Sequence, residues 1–162
     1  MTIKILVTGG TFDKEYDEIA GKLYFKNTHV PEILQLGRSN LTIDVSPLMM
    51  IDSLEMTESD RKQIVEHCAN CAEGHIVITH GTDTMETTAQ ELGRANLNKT
   101  IVLTGAMVPY KFGSSDGLFN LGSALAFVQS LPAGVYVAMN GRYFDWHNVR
   151  KNKASGIFEE VA

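Results

Sequence analysis

The stretch His75-Ile76-Val77-Ile78-Thr79-His80-Gly81-Thr82-Asp83-Thr84-Met85-Glu86-Thr87-Thr88-Ala89, continuing to Leu97, decides the fold class. Its first five residues form a short, largely β-branched run, as expected of a strand covered on both faces. From Thr84 to Leu97 the period changes, and Met85, Ala89, Leu92 and Ala95 recur on one face of a helix. A strand, a glycine-containing polar turn and a helix in that order make up one half of a parallel crossover.

The same alternation runs outward in both directions. Ile3–Thr8, Leu41–Val45, Thr100–Thr104 and Gly134–Met139 read as further strands. Ser59–Ala72 reads as a helix that starts at the capping-box pair Thr57 and Asp60. Gly117–Leu131 reads as another, with Leu118, Leu121, Leu125 and Val128 on one face, Asp116 as its cap, and a stop before Pro132. Strands alternating with helices of this length require right-handed parallel crossovers that cover both sheet faces. The expected fold is α/β, a three-layer sandwich with a mainly parallel, flavodoxin- or Rossmann-like sheet, in a single domain over residues 1–162. Phe12–His29 has no period and reads as a long mobile loop after the first strand.

Composition narrows the partners. The 162 residues, 44% hydrophobic and 20% charged, suit one soluble core. With 19 acidic residues against 14 Lys and Arg, the net charge of −5 gives no attraction to a phosphate backbone, so nucleic acid is not an expected partner. The N-terminus lacks the features of an export signal, which makes the cytoplasm the expected location. The uncharged stretch from Gly117 to Gly141 is broken by Asn120, Gln129, Pro132 and Gly134, so no membrane span is expected. Cys68 and Cys71 have no second pair with metal-ligand spacing and read as spectators.

Ligands of open parallel sheets bind beyond the carboxyl ends of the strands. Three of those ends combine hydroxyls with glycine: Thr8-Gly9-Gly10-Thr11, Thr79-His80-Gly81-Thr82-Asp83-Thr84 and Thr104-Gly105-Ala106-Met107. Each alone is ordinary turn and capping chemistry; three together suggest a polar pocket with backbone N–H donors. No G-x-S-x-G, H-E-x-x-H or phosphate-loop motif occurs. Threonine remains as nucleophile, and it needs a partner to take its proton. Asp83 is the candidate carboxylate, and Lys111, Lys151 and Lys153 are the candidate amines.

These segments, together with Asp52-Ser53-Leu54-Glu55-Met56-Thr57, Ser115-Asp116-Gly117-Leu118-Phe119-Asn120-Leu121 and Asp145 to Lys151, resemble the bacterial-type L-asparaginases and glutaminase-asparaginases, in that family's order over almost the whole chain. The resemblance implies an L-asparagine amidohydrolase that releases L-aspartate and ammonia through an acyl-enzyme, with weaker glutaminase activity and neither cofactor nor metal. Position by position, it makes Thr11 the nucleophile and groups Thr82, Asp83 and Lys151 in a second constellation. Substrate would be held by Gly10, Ser53, Gly81, Thr82, Asp83 and Ala106. The family's loop tyrosine falls on Tyr16, with Tyr24 as the alternative. Full-length members carry a second α/β domain whose carboxylate, from a neighbouring protomer, binds the substrate's α-amino group. This chain reads as a short form without it, with part of a longer protein as the alternative, leaving Glu15, Asp17, Glu18, Glu55, Glu159 and Glu160 as possible replacements. A homodimer or homotetramer is expected from the same resemblance. Two other readings stay open: a glutaminase or amidotransferase-type amide hydrolase, and a non-catalytic amino-acid-binding or regulatory module.

Overall fold

The computed structural model describes residues Met1–Ala162. Six strands form the main sheet: β1 (Thr2–Gly9), β4 (Thr42–Ile51), β5 (His75–Thr79), β6 (Thr100–Thr104), β7 (Gly134–Met139) and β8 (Arg142–Asp145). Two small hairpins stand outside it, β2 (Lys14–Asp17) with β3 (Lys22–Phe25), and β9 (Arg150–Asn152) with β10 (Ile157–Glu159). The helices are α1 (Val30–Leu36), α2 (Glu58–Asn70), α3 (Met85–Ala95) and α4 (Gly117–Ser130). The sheet order is β4-β1-β5-β6-β7-β8, parallel except for β8.

Alternate residues of the central strands feed two separate cores, which confirms the three-layer expectation. Leu6, Ile76, Ile78, Ile101, Leu103 and Val137 pack beneath Ile64 and Cys68 of α2 and Met85, Ala89 and Leu92 of α3. Ile3, Ile5, Val7, Val77 and Val102 pack on the opposite face beneath Val30 and Ile33 of α1 and Leu121, Ala124 and Val128 of α4. The parallel strands are therefore apolar on both faces, the pattern read from their composition.

Chain order makes the site inevitable. From β1 the chain moves to one sheet edge, β4, then returns to β5 on the other side of β1 and continues outward. Connections leaving β1 and β5 therefore diverge, and a crevice opens between their carboxyl ends. Those ends are the Gly9-Gly10-Thr11 and His80-Gly81-Thr82 turns.

The predicted capping box is present: Thr57 Oγ1 accepts from Asp60 N at 3.2 Å, and Asp60 Oδ2 accepts from Thr57 N at 2.8 Å. Three expectations need correction. Phe12–His29 is not one irregular loop but a single 3-10 turn, Thr11–Asp13, followed by the β2–β3 hairpin. Asp116 sits at the N-cap of α4, yet its carboxylate accepts from no backbone N–H of the helix, and within it only from the Asn120 side chain at 3.0 Å. It accepts instead from Met107 N (2.9 Å) and Val108 N (3.0 Å), holding the loop after β6. The second strand reaches Ile51 rather than ending at Val45, because as an edge strand it tolerates Pro47, which cannot donate to a ladder.

Gly93 of α3 packs against the indole of Trp146, where a Cβ would overlap three of the ring atoms. Gly93→Ala is expected to cost about 1–3 kcal/mol through overpacking, despite alanine's better helix propensity. The urea midpoint should fall with an unchanged m-value; a midpoint at the wild-type position would show that the Trp146 ring is free to swing aside.

Candidate active site

Glycine lets the β1 and β5 turns touch. Gly10, at φ 76°, has no room for a side chain, because a Cβ there would overlap the backbone of Gly81. Gly81 is hemmed in from the other side by Ser53, whose Oγ occupies the place of a Cβ. Gly105 is equally close to the carbonyl oxygen of His80. The β5 turn is thus in van der Waals contact with both the β1 turn and the β6 turn, and Thr11 and Thr82 are the residues that follow directly from the Gly10–Gly81 contact.

Two of the three leading threonines, Thr8 and Thr104, tie the sheet. Thr8, Thr79 and Thr104 are fully buried; Thr8 Oγ1 donates to Thr79 O (2.7 Å) and Thr104 Oγ1 to Ala138 O (2.8 Å). The second threonines behave differently. Thr11 Oγ1 makes no hydrogen bond within the chain, and Thr82 Oγ1 accepts from Lys151 Nζ at 2.8 Å. The same ammonium donates to Asp83 Oδ1 at 2.9 Å, with the lysine side chain 9% exposed and that of Asp83 36%. The proton of Thr82 Oγ1 finds only the thioether of Met107, 3.6 Å away, a weak acceptor that leaves it free for a better one. The Thr82 backbone N–H has no acceptor in the chain.

Lys151 arrives from β9, outside the main sheet. Its hairpin is anchored by Phe158, buried in the core opposite Lys151, by Phe158 N donating to Asn140 Oδ1 (2.9 Å), and by Lys151 N donating to Glu86 Oε2 (3.1 Å). Glu86, in the first turn of α3, anchors the Lys151 backbone and was not among the candidate site residues. The other two candidate amines lie elsewhere: Lys111 pairs with Glu32 (3.4 Å), and Lys153 is exposed in the β9–β10 turn.

The β2–β3 hairpin is latched beside Ser53. Lys14 Nζ bonds Asp52 Oδ2 at 2.6 Å, and this bond holds the Asp52 carboxyl below its usual range. Lys14 and Tyr16 share one face of β2, as alternate residues must. Tyr16 is therefore on the Asp52 side, 54% exposed, with a hydroxyl free of internal partners. Tyr24 pairs with Glu15 on the other face, the side on which Glu15 approaches His29 (3.5 Å). Asp13 at the hairpin base is fully buried and accepts from His29 N (2.8 Å); burial raises its carboxyl above the usual range.

Ser53 is 1% exposed, its Oγ accepting from Thr84 N at 3.3 Å, and Ala106 is equally enclosed. Of the acids considered as partners for a substrate α-amino group, three are engaged elsewhere: Asp17 accepts from Ile19 N and Ala20 N, Glu159 pairs with Arg150, and Glu160 with Arg142. No group of three or more His, Cys, Asp or Glu side chains is arranged to hold a metal ion, and no helix is long and apolar enough to cross a membrane. Cys68 and Cys71 are free thiols, and burial pushes that of Cys68 up to about 12.

The fold is a doubly wound α/β sandwich whose switch point carries paired glycine turns, an unpartnered Thr11 hydroxyl and a Lys–Asp pair at Thr82. Residues 2–159 match the domain described as Asparaginase, N-terminal, and the chain belongs to the asparaginase family. L-asparaginase 1 of Escherichia coli strain K12 is 32% identical over 167 residues, covering 96% of this chain and 49% of that protein. A glutamyl-tRNA(Gln) amidotransferase component from Methanococcus vannielii is 38% identical over 154 residues, covering 88% of this chain and 35% of that one. The thermostable L-asparaginase from Thermococcus kodakarensis has the same fold, with a TM-score of 0.86 at 30% identity over 99% of this chain and 51% of its own. The chain spans about half the length of the asparaginases it matches and about a third of the amidotransferase component.

His80, within the β5 turn, is completely buried, and burial pushes its imidazole down to about 4. Between about pH 6.5 and about 4 the unfolded chain takes up a proton here and the folded chain does not, so stability is full above this window and falls as pH drops through it. The loss is on the order of 3 kcal/mol. Asp13, shifted upward, works in the opposite direction, so a variant is needed to isolate the histidine. Between pH 7 and 5 wild type should lose more stability than His80→Gln in urea titrations. Parallel losses would mean that the imidazole is not held neutral.

Proposed function

We propose that the chain catalyses hydrolysis of the side-chain amide of L-asparagine, releasing L-aspartate and ammonia through a threonine nucleophile and an acyl-enzyme. The observation that carries this reading is the Lys151 ammonium, bonded at once to Thr82 Oγ1 and Asp83 Oδ1 beside the Gly10–Gly81 contact. Thr11 Oγ1 attacks the amide carbon, and its proton passes to the leaving ammonia; a water molecule then hydrolyses the ester. Tyr16, free-standing on the latched hairpin, is the group assigned to the proton from Thr11. Thr82, held by Lys151, takes part from the other side of the substrate with its own proton uncommitted.

The negative charge that develops on the amide oxygen needs preorganised donors. The unpaired N–H of Thr82 supplies one, and the turn around Gly10 supports another. Asp83 accepts the substrate's α-amino group with its remaining oxygen, while Ser53, Gly81 and Ala106 shape the wall behind the substrate. The amidotransferase relative, more identical to this chain than the E. coli asparaginase, favours glutamine as the second amide to test.

Purified protein should release ammonia from asparagine faster than from glutamine. Thr11→Ala, Thr82→Ala and Lys151→Met should each lower kcat by at least about a hundredfold, whereas Tyr24→Phe should stay within about threefold of wild type and Tyr16→Phe should not. Full activity in Thr11→Ala would remove the assigned nucleophile; calorimetric binding of asparagine with no ammonia release would replace the enzyme by a binding module.

A further inference from the structure

Arg61 of α2 stands behind the site and is unusual in its company. It is 9% exposed, and all three of its hydrogen-bond partners are neutral oxygens. Nε donates to Thr88 Oγ1 (3.1 Å), Nη1 to Met56 O (3.3 Å) and Nη2 to Thr84 Oγ1 (2.8 Å). Burying a guanidinium with no carboxylate partner is costly, and an apolar side chain of similar volume would avoid that cost. What the guanidinium adds is direction, because arginine can only donate. A hydroxyl that accepts from it must turn its own proton elsewhere.

Both hydroxyls do so toward the site. Thr84 Oγ1 donates to Ser53 O at 2.8 Å. Thr88 Oγ1 lies 2.7 Å from Nε2 of His80, whose Nδ1 lies 2.8 Å from Gly81 O. A carbonyl oxygen only accepts, so Nδ1 carries the ring proton. Nε2 is then the acceptor that Thr88 needs, and burial keeps the ring neutral. Every proton from Arg61 to Gly81 therefore has one orientation. The Gly81 carbonyl belongs to the same peptide unit as the N–H of Thr82, the donor without a partner. A hydrogen bond at the carbonyl fixes the plane of that peptide and polarises its N–H into a stronger donor.

We propose that Arg61 is a positioning residue: acting through Thr88 and His80, it orients and polarises the Gly81–Thr82 peptide as a donor to the substrate's amide oxygen, and through Thr84 it holds Ser53. The catalytic part rests on the amide-hydrolase reading given above; the hydrogen-bond relay stands on the geometry alone, and the two are tested separately.

The decisive variant is Thr88→Val, which keeps the shape and removes the hydroxyl. In wild type, nitrogen-15 NMR of His80 at neutral pH should show a neutral ring protonated at Nδ1. In Thr88→Val the ring should stay protonated at Nδ1, where the Gly81 carbonyl remains, but its Nε2 resonance should move as it loses its donor, the Thr82 amide resonance should shift, and kcat should fall about tenfold with KM within about twofold. Arg61→Met should move the same three readouts, and Arg61→Lys should not restore them, because one ammonium cannot reproduce the planar fork that meets three acceptors. If Arg61→Met does not fold, Thr88→Val decides. A wild-type ring protonated at Nε2, or a Thr88→Val protein with an unchanged Thr82 amide and unchanged kcat, would overturn the proposal. Should the wild-type chain hydrolyse no amide, the reaction assigned above falls, while the ring tautomer and the Thr82 amide still settle the relay.

Discussion

The close approach of two backbones, Gly10 against Gly81, is the constraint on which the rest of the site depends. A parallel sheet places the ends of β1 and β5 one strand spacing apart, and only glycine lets the turns beyond them meet without side chains between. Gly10 meets a further demand, since its positive φ turns the chain from the strand into the Thr11–Asp13 helical turn. Ser53 closes the stack from the edge-strand side, so three segments distant in sequence converge on one point. The threonines beyond the glycines inherit their positions from that contact.

Around this point the threonine hydroxyls divide into those that tie the sheet and those left without a strong acceptor. Thr8 and Thr104 use their hydroxyls to tie neighbouring strand ends together, while Thr79 is buried with its hydroxyl unpartnered. Thr11 and Thr82, one turn further on, have hydroxyl protons without a strong internal acceptor. The buried Arg61, Thr88 and His80 lie behind the β5 turn and bond to one another and to the carbonyls of Met56 and Gly81. Lys151 comes from a separate hairpin whose own hold on the domain is the burial of Phe158 and the bonds to Asn140 and Glu86. A lysine on so short a hairpin would sweep a wide volume without those anchors; with them its ammonium is confined to two acceptors.

Long, strongly patterned elements were legible in the residue order. The strand His75–Thr79 and the helix after it, the Thr57–Asp60 capping box and the stop of α4 before Pro132 all appear where their local chemistry puts them. Short elements were not. The seven-residue α1 is too brief to show a period, and the β2–β3 hairpin mixes Lys, Glu, Tyr and Asp because it lies outside the main sheet and buries little. The strand β8 was missed although its signal is present: Asn140-Gly141, both at positive φ, form the tight turn that sends the chain back beside β7. Asp116 was legible as a helix cap and proved to hold the Met107–Val108 loop instead, because those amides offered it better partners.

By itself the residue order determined the alternation of strands and helices, hence a parallel sheet covered on both faces, and it marked the glycine–threonine ends where a ligand would sit, since these follow from side-chain periodicity and backbone freedom within a few residues. Only the tertiary structure decided which lysine reaches Thr82, which face of the hairpin carries Tyr16, and that Arg61 lies buried behind the β5 turn. Those choices join residues up to 69 positions apart. They are settled by packing and hydrogen-bond geometry in three dimensions, and no local pattern records them.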